Sequence, residues 1–199
     1  MATNWPNSVQ TFTNPTSGSA LNSPSHADQH ATVNDTVEAL QTYAGLVFVK
    51  SVTIGSGVGS VTVTDAFDSR FTNYLMTGWF SLSSSTTVAL FNFGGITGSV
   101  YRFNVFYIAT GATGAESNSG GLQTYWDIGH WRYGGSMFIG KPYETGYKNY
   151  SFPPNTDVTY TRRGSGKCES TVQATSFTIT PATGTFTDGI LQIYGYNEG

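Results

Sequence analysis

From Leu46 onward the apolar residues of this chain recur at every second position, and that period constrains the fold more than any other feature. Val58–Thr64 (VGSVTVT), Thr86–Phe93 (TTVALFNF) and Val100–Ala109 (VYRFNVFYIA) read as strands. So do Val158–Arg162 (VTYTR), Thr175–Thr180 (TSFTIT) and Gly189–Tyr196 (GILQIYGY). Successive side chains on a strand point to opposite faces, so each segment has one side to bury. Clusters of Gly, Asn, Asp and Ser separate the segments, and no helical pattern intervenes. Ala112–Gly121 (ATGAESNSGG) reads as a Gly/Ser loop at a tip.

Composition agrees with the period. Charged residues make up only 11% of the 199, while aromatics reach 15% and 24 glycines supply tight turns. Ser and Thr, 21 and 29 of them, take the place of the missing charge. Thr, Tyr, Phe and Val suit a half-buried pleated surface, whereas the helix formers Lys, Glu, Arg and Met are scarce. Eight to eleven short strands of this kind predict an all-β fold over residues 46–199, a jelly-roll-like antiparallel β-sandwich.

Charge excludes one class of partner. Residues 1–49 carry Asp28, Asp35 and Glu38 without a cation, and residues 50–199 balance to zero, so no basic stripe exists for nucleic acid. Cys168 is the single cysteine, so an intrachain disulfide is impossible and stability rests on burial or association. No apolar run is long enough to span a bilayer as a helix, so membrane insertion is not expected, and the polar stretch Met1–Ser25 does not read as a secretory signal.

Two further zones precede the strands. Residues 1–24 are polar and punctuated by Pro6, Pro15 and Pro24, which disfavour helix and predict an extended arm. Such an arm has no core to bury and is expected to dock on a partner. Residues 25–45 predict one short α-helix, with Ser25 and Asp28 at its start and Gly45 as a left-handed stop. His26, His30, Val33, Val37, Leu40 and Ala44 fall at alternating spacings of four and three, a heptad seam flanked mostly by polar residues. The seam predicts self-association, with a homotrimer as first choice; packing of the helix on the sandwich is the alternative.

Ser23–Leu40 (SPSHADQHATVNDTVEAL), with Trp5–Pro6, Phe12 and Asn14–Pro15 before it, resembles the N-terminal module of tailed-bacteriophage virion proteins of the minor tail and head-fibre type. The closing Gly184–Gly199 (GTFTDGILQIYGYNEG) resembles the last two strands of phage jelly-roll domains. The resemblance implies a virion structural protein, a trimeric surface fibre or capsid decoration involved in host attachment. It implies docking on capsid or tail proteins through an arm carrying Trp5, Pro6, Phe12 and Pro15. A tail-tip receptor-binding protein, or a carbohydrate-binding or glycan-cleaving module, is the alternative.

Four sets of residues invite chemistry. Tyr125–Tyr133 (YWDIGHWRY), read as one strand, puts Tyr125, Asp127, Trp131 and Tyr133 on one side, and aromatic faces beside polar groups suit a host-surface glycan. For any single residue of the segment, a core or inter-subunit strand is the stronger reading. His26 and His30, one helical turn apart, are better read as register-setting positions than as a metal site, because no Cys or carboxylate cluster completes one. Arg162–Lys167 (RRGSGK) lacks the spacing of a phosphate loop, and Cys168 stands where Ser or Thr is required, so it reads as a hairpin turn with basic shoulders. Of the carboxylates near aromatic segments, Asp127, Glu144, Asp157 and Glu169, no pair forms a recognisable catalytic motif. No enzymatic activity and no cofactor are expected.

Overall fold

A computed structural model of the chain describes residues 26–43, 45–84, 89–96, 98–109, 112–121, 124–126, 131–156 and 160–196. The predicted docking arm, with Trp5, Pro6, Phe12 and Pro15, lies outside the described residues, as do Ala44, Asp127 and Asp157. The chain divides into two compact units, one containing the helix and the other, Phe48–Tyr196, the sandwich.

Helix α1 spans His26–Tyr43, with Asp28 in its first turn where the exposed amide ends favour an anion. Inside it, Thr32 Oγ1 donates to the Asp28 carbonyl and Thr36 Oγ1 to the Thr32 carbonyl, each at 2.8 Å. These bonds satisfy two hydroxyls that would otherwise compete with the helix backbone.

The β domain is all antiparallel in its described ladders and rolls up like one long hairpin. β1 (Leu46–Ile54) lies beside β12 (Phe186–Tyr196), and β2 (Val61–Val63) beside β11 (Phe177–Pro181). β3 (Asn73–Leu82) lies beside β8 (Trp131–Gly140), and β4 (Ala89–Phe93) beside β7 (Thr124–Trp126). Winding these four pairs puts β1-β12-β3-β8 in one sheet and β2-β11-β4-β7 in the other. That strand order is a jelly-roll sandwich, as the sequence predicts. Two insertions, β5 (Tyr101–Ala109) with β6 (Ala112–Gly121) and β9 (Lys148–Thr156) with β10 (Tyr160–Cys168), extend the first sheet to eight strands. Its order is β1-β12-β3-β8-β9-β10-β5-β6.

Alternation along each strand builds the core. Tyr74, Met76 and Phe80 of β3, Leu191 and Ile193 of β12, and Phe91 and Phe93 of β4 are buried, with partly exposed neighbours between them. Phe177 stacks on Phe91 with ring centroids 5.4 Å apart, and Phe67 approaches both Phe177 and Phe93 at 5.8 and 6.0 Å. Tyr101 stacks on Phe93, and its hydroxyl accepts the Phe93 N–H at 2.7 Å, so this buried phenol is satisfied. The Cys168 thiol is fully buried and pushed up by that burial, which makes it an inert core sulfur.

Two segments read as loop or turn are strands. Ala112–Gly121 is β6, held by a ladder to β5 from Ala109↔Ala112 to Tyr101↔Gly121. Arg162–Lys167 is the middle of β10, not a hairpin turn. Gly164 and Gly166 sit on its inward side opposite Phe152 and Tyr150 of β9, and a Cβ on either glycine would run into those rings. The glycines make room for aromatic cover, so a Gly-rich stretch behaves as a paired strand.

One buried charge ties the insertion to the rest. Lys148, with no exposed surface, donates from Nζ to the carbonyls of Glu144, Gly146 and Ser170 at 3.1, 2.8 and 3.1 Å. The ammonium's three hydrogens are thereby matched by three acceptors. Lys148→Met removes the donor and leaves the carbonyls in a dry site. The expected cost is about 1–3 kcal/mol, seen as a lower urea midpoint at unchanged slope.

Candidate functional site

The outward side of the enlarged sheet carries a shallow groove of about 1130 Å³. Strand register arranges its walls in two rows. The first runs Arg102, Lys167, Asn149, Gly140, Asn73, Tyr196 across β5, β10, β9, β8, β3 and β12. The second runs Asn104, Ser165, Ser151, Phe138 across β5, β10, β9 and β8, with Ser117 of β6 opposite Asn104, and continues beyond the groove to Leu75 and Tyr194. Five strand gaps separate Arg102 from Tyr196, roughly 24 Å at the usual interstrand spacing. Gly140 has no side chain, and the Asn73 amide oxygen lies over it, 3.2 Å from where a Cβ would stand.

The groove changes character along its length. At the β12 end Phe138 stacks on Tyr196 with centroids 6.4 Å apart, and beyond the groove Phe48 packs edge-on to Tyr194 at 5.7 Å. The middle presents amides and hydroxyls. At the β5 end Arg102 Nε donates to Glu169 Oε2 at 2.5 Å, and Lys167 Nζ lies 2.8 Å from Glu169 Oε1. Lys167 also sits over the Tyr147 ring, 5.6 Å from its centroid. Lys167 and then Arg102 hold the Glu169 carboxyl below the usual carboxylate range. Further out on β5, Phe106 and Ile108 are exposed, with Arg163 over the Phe106 ring at 5.8 Å.

Aromatic faces accept C–H stacking, and clustered amides and hydroxyls exchange hydrogen bonds with a polyhydroxylated chain. The groove therefore has the chemistry to bind sugar.

The segment Tyr125–Tyr133 does not form one strand. Tyr125 lies on β7 of the smaller sheet opposite Leu90, whereas Trp131 and Tyr133 lie on β8 of the larger sheet, Trp131 opposite Ser81. The sandwich winds through this segment, so the fold assigns its aromatics to different layers. Their side chains, like that of His26, are outside the described residues. His30, Val33, Val37 and Leu40 are exposed on α1. Glu144 lies 3.2 Å from Lys141, and no cluster of three or more His, Cys, Asp or Glu occurs among the described residues.

The groove residues escaped sequence reading because they come from seven strands. Their signal was present in part: Arg102 and Asn104 are the polar positions between buried Tyr101, Phe103 and Val105.

No protein-family model and no curated protein sequence matches this chain.

Glu169 offers a direct check on the groove's ion pairs. A carboxyl held below its ordinary value keeps its partners only while ionised, so the pairs persist at neutral pH and are lost as pH falls through the native value. In a carboxyl NMR titration Glu169 is expected to titrate below the usual glutamate range. Lys167→Met is expected to move its midpoint upward.

Proposed function

We propose that the chain is an oligomeric, non-enzymatic structural protein of a bacteriophage particle. Its N-terminal arm docks on capsid or tail proteins, and its jelly-roll domain adheres to a host-surface glycan through the outer-sheet groove. The observation that carries the oligomer is the apolar seam of α1. Val33 and Val37 are 46% exposed and Leu40 41%, on a helix whose other residues are mostly polar. Side chains of this kind at a/d spacing are buried when copies of the helix pack together, and the choice of three chains rests on the likeness to phage proteins. The virion assignment rests on the likeness of both chain ends to phage proteins, and the adhesive role on the groove.

A surface fibre or capsid decoration is preferred, and a tail-tip receptor-binding protein shares the same plan. Locating the protein in an intact particle by electron microscopy separates them, and absence from the particle overturns the virion assignment. A glycan-cleaving role needs two carboxylates flanking the bond; of those near aromatic segments, the two among the described residues, Glu144 and Glu169, are each engaged by cations.

Light scattering on the eluting full chain is expected to give three times the 21.4 kDa chain mass. Val37→Asp with Leu40→Asp places charge on the seam and is expected to yield monomers, with thermal unfolding of the β domain retained. A monomeric parent chain refutes the trimer.

A further inference from the structure

We propose that the outer-sheet groove selects acidic oligosaccharides, with Arg102 and Lys167 receiving the anionic group of the sugar. This rests on the glycan reading above and adds the charge of the ligand to it.

The first observation is the sign of the walls. Arg102, Lys141 and Lys167 line the groove and no carboxylate does so among the described residues; with Glu144 beside Lys141 and Glu169 beside the other two, one net positive charge remains. Across the chain Lys and Arg number 9 against 12 Asp and Glu, so three cations in one groove depart from the average.

The second observation is how two of those cations are held. Glu169 bridges them from a more sheltered position, its side chain 23% exposed against 43% for Arg102 and 45% for Lys167. One carboxylate shared by two cations leaves a net positive charge at this end of the groove. It also restrains both long side chains in advance, which lowers the ordering cost of binding. Among the described contacts Glu169 engages Arg102 through Nε, leaving the Nη hydrogens, whose planar fork matches carboxylate or phosphate oxygens. Lys167 is further steadied over Tyr147.

The third observation separates a sugar from an acidic peptide. Peptides are gripped by open strand edges or by pockets for alternate side chains. Arg102 and Lys167 instead lie on β5 and β10, each paired on both sides, beside Asn104, Asn149 and Ser165. A sugar chain laid across the strands meets cations at one end and the Phe138–Tyr196 pair at the other.

The test applies the full chain to an array of uronate, sialate and glycosyl-phosphate oligosaccharides alongside neutral ones. The best acidic ligand is then titrated against its esterified or neutral counterpart over a salt series. The acidic form is expected to bind at least about tenfold tighter, because charge-assisted hydrogen bonds exceed neutral ones. The gap should shrink as salt rises. Arg102→Met with Lys167→Met should abolish the gap while retaining the weaker neutral binding, whereas Phe138→Ala should weaken both forms. Equal binding of acidic and neutral forms overturns the charge selection and leaves glycan adhesion standing. Binding of no oligosaccharide overturns both. Polyglutamate competing as well as the acidic sugar overturns the sugar class. The counterpart comparison and the salt series use the unaltered chain, so they decide the matter even if a variant misfolds.

Discussion

Ring-on-ring contact between the two sheets is the interaction on which the rest of the domain depends. Phe91 and Phe177 from the smaller sheet, Phe67 from a connecting segment and Tyr101 from the larger sheet meet through Phe93 and its neighbours. Aromatic side chains bury large areas and gain further from offset and edge-on geometry. With a single cysteine and few charges, the chain has little else to hold the sheets together. Closing the core this way commits alternate positions of every strand to the opposite, outward face, and the groove is made of those positions.

The groove also depends on the two insertions. A jelly roll needs only eight strands, and β8 would otherwise be an edge of its sheet. Here β9, β10, β5 and β6 continue it, joined by the β10–β5 ladder between segments far apart in sequence. β10 can lie in that position because Gly164 and Gly166 admit the rings of Phe152 and Tyr150. Lys148 clamps the loop before β9 and the segment after β10 through three carbonyls. Widening the sheet thus extends its outer face, while Tyr101, Phe103, Tyr150 and Phe152 carry the core on beneath the insertions.

In the proposed assembly the helix and the groove serve one purpose. A shallow, solvated surface binds a single sugar chain weakly, and joining three copies through α1 raises the effective concentration of the second and third contacts. Residual exposure of Val33, Val37 and Leu40 is then the consequence of viewing one chain of several.

Much of the fold was legible in the residues. The two-residue period marked β4, β5, β11 and β12 closely, and the breaks around Pro24 and Gly45 bounded α1. Local chemistry decides these features, because alternation and capping act over a few residues. Three others were misread for physical reasons: β6 looks like a loop until it pairs with β5, the middle of β10 looks like a turn until rings of β9 cover its glycines, and Tyr125–Tyr133 looks continuous until the winding divides it between sheets. By itself, then, the sequence determined an all-β domain behind a helix with an apolar seam. Only the tertiary structure decided that Arg102, Lys167, Asn149, Asn73 and Tyr196 share one row, because strand register is set by pairing between distant segments.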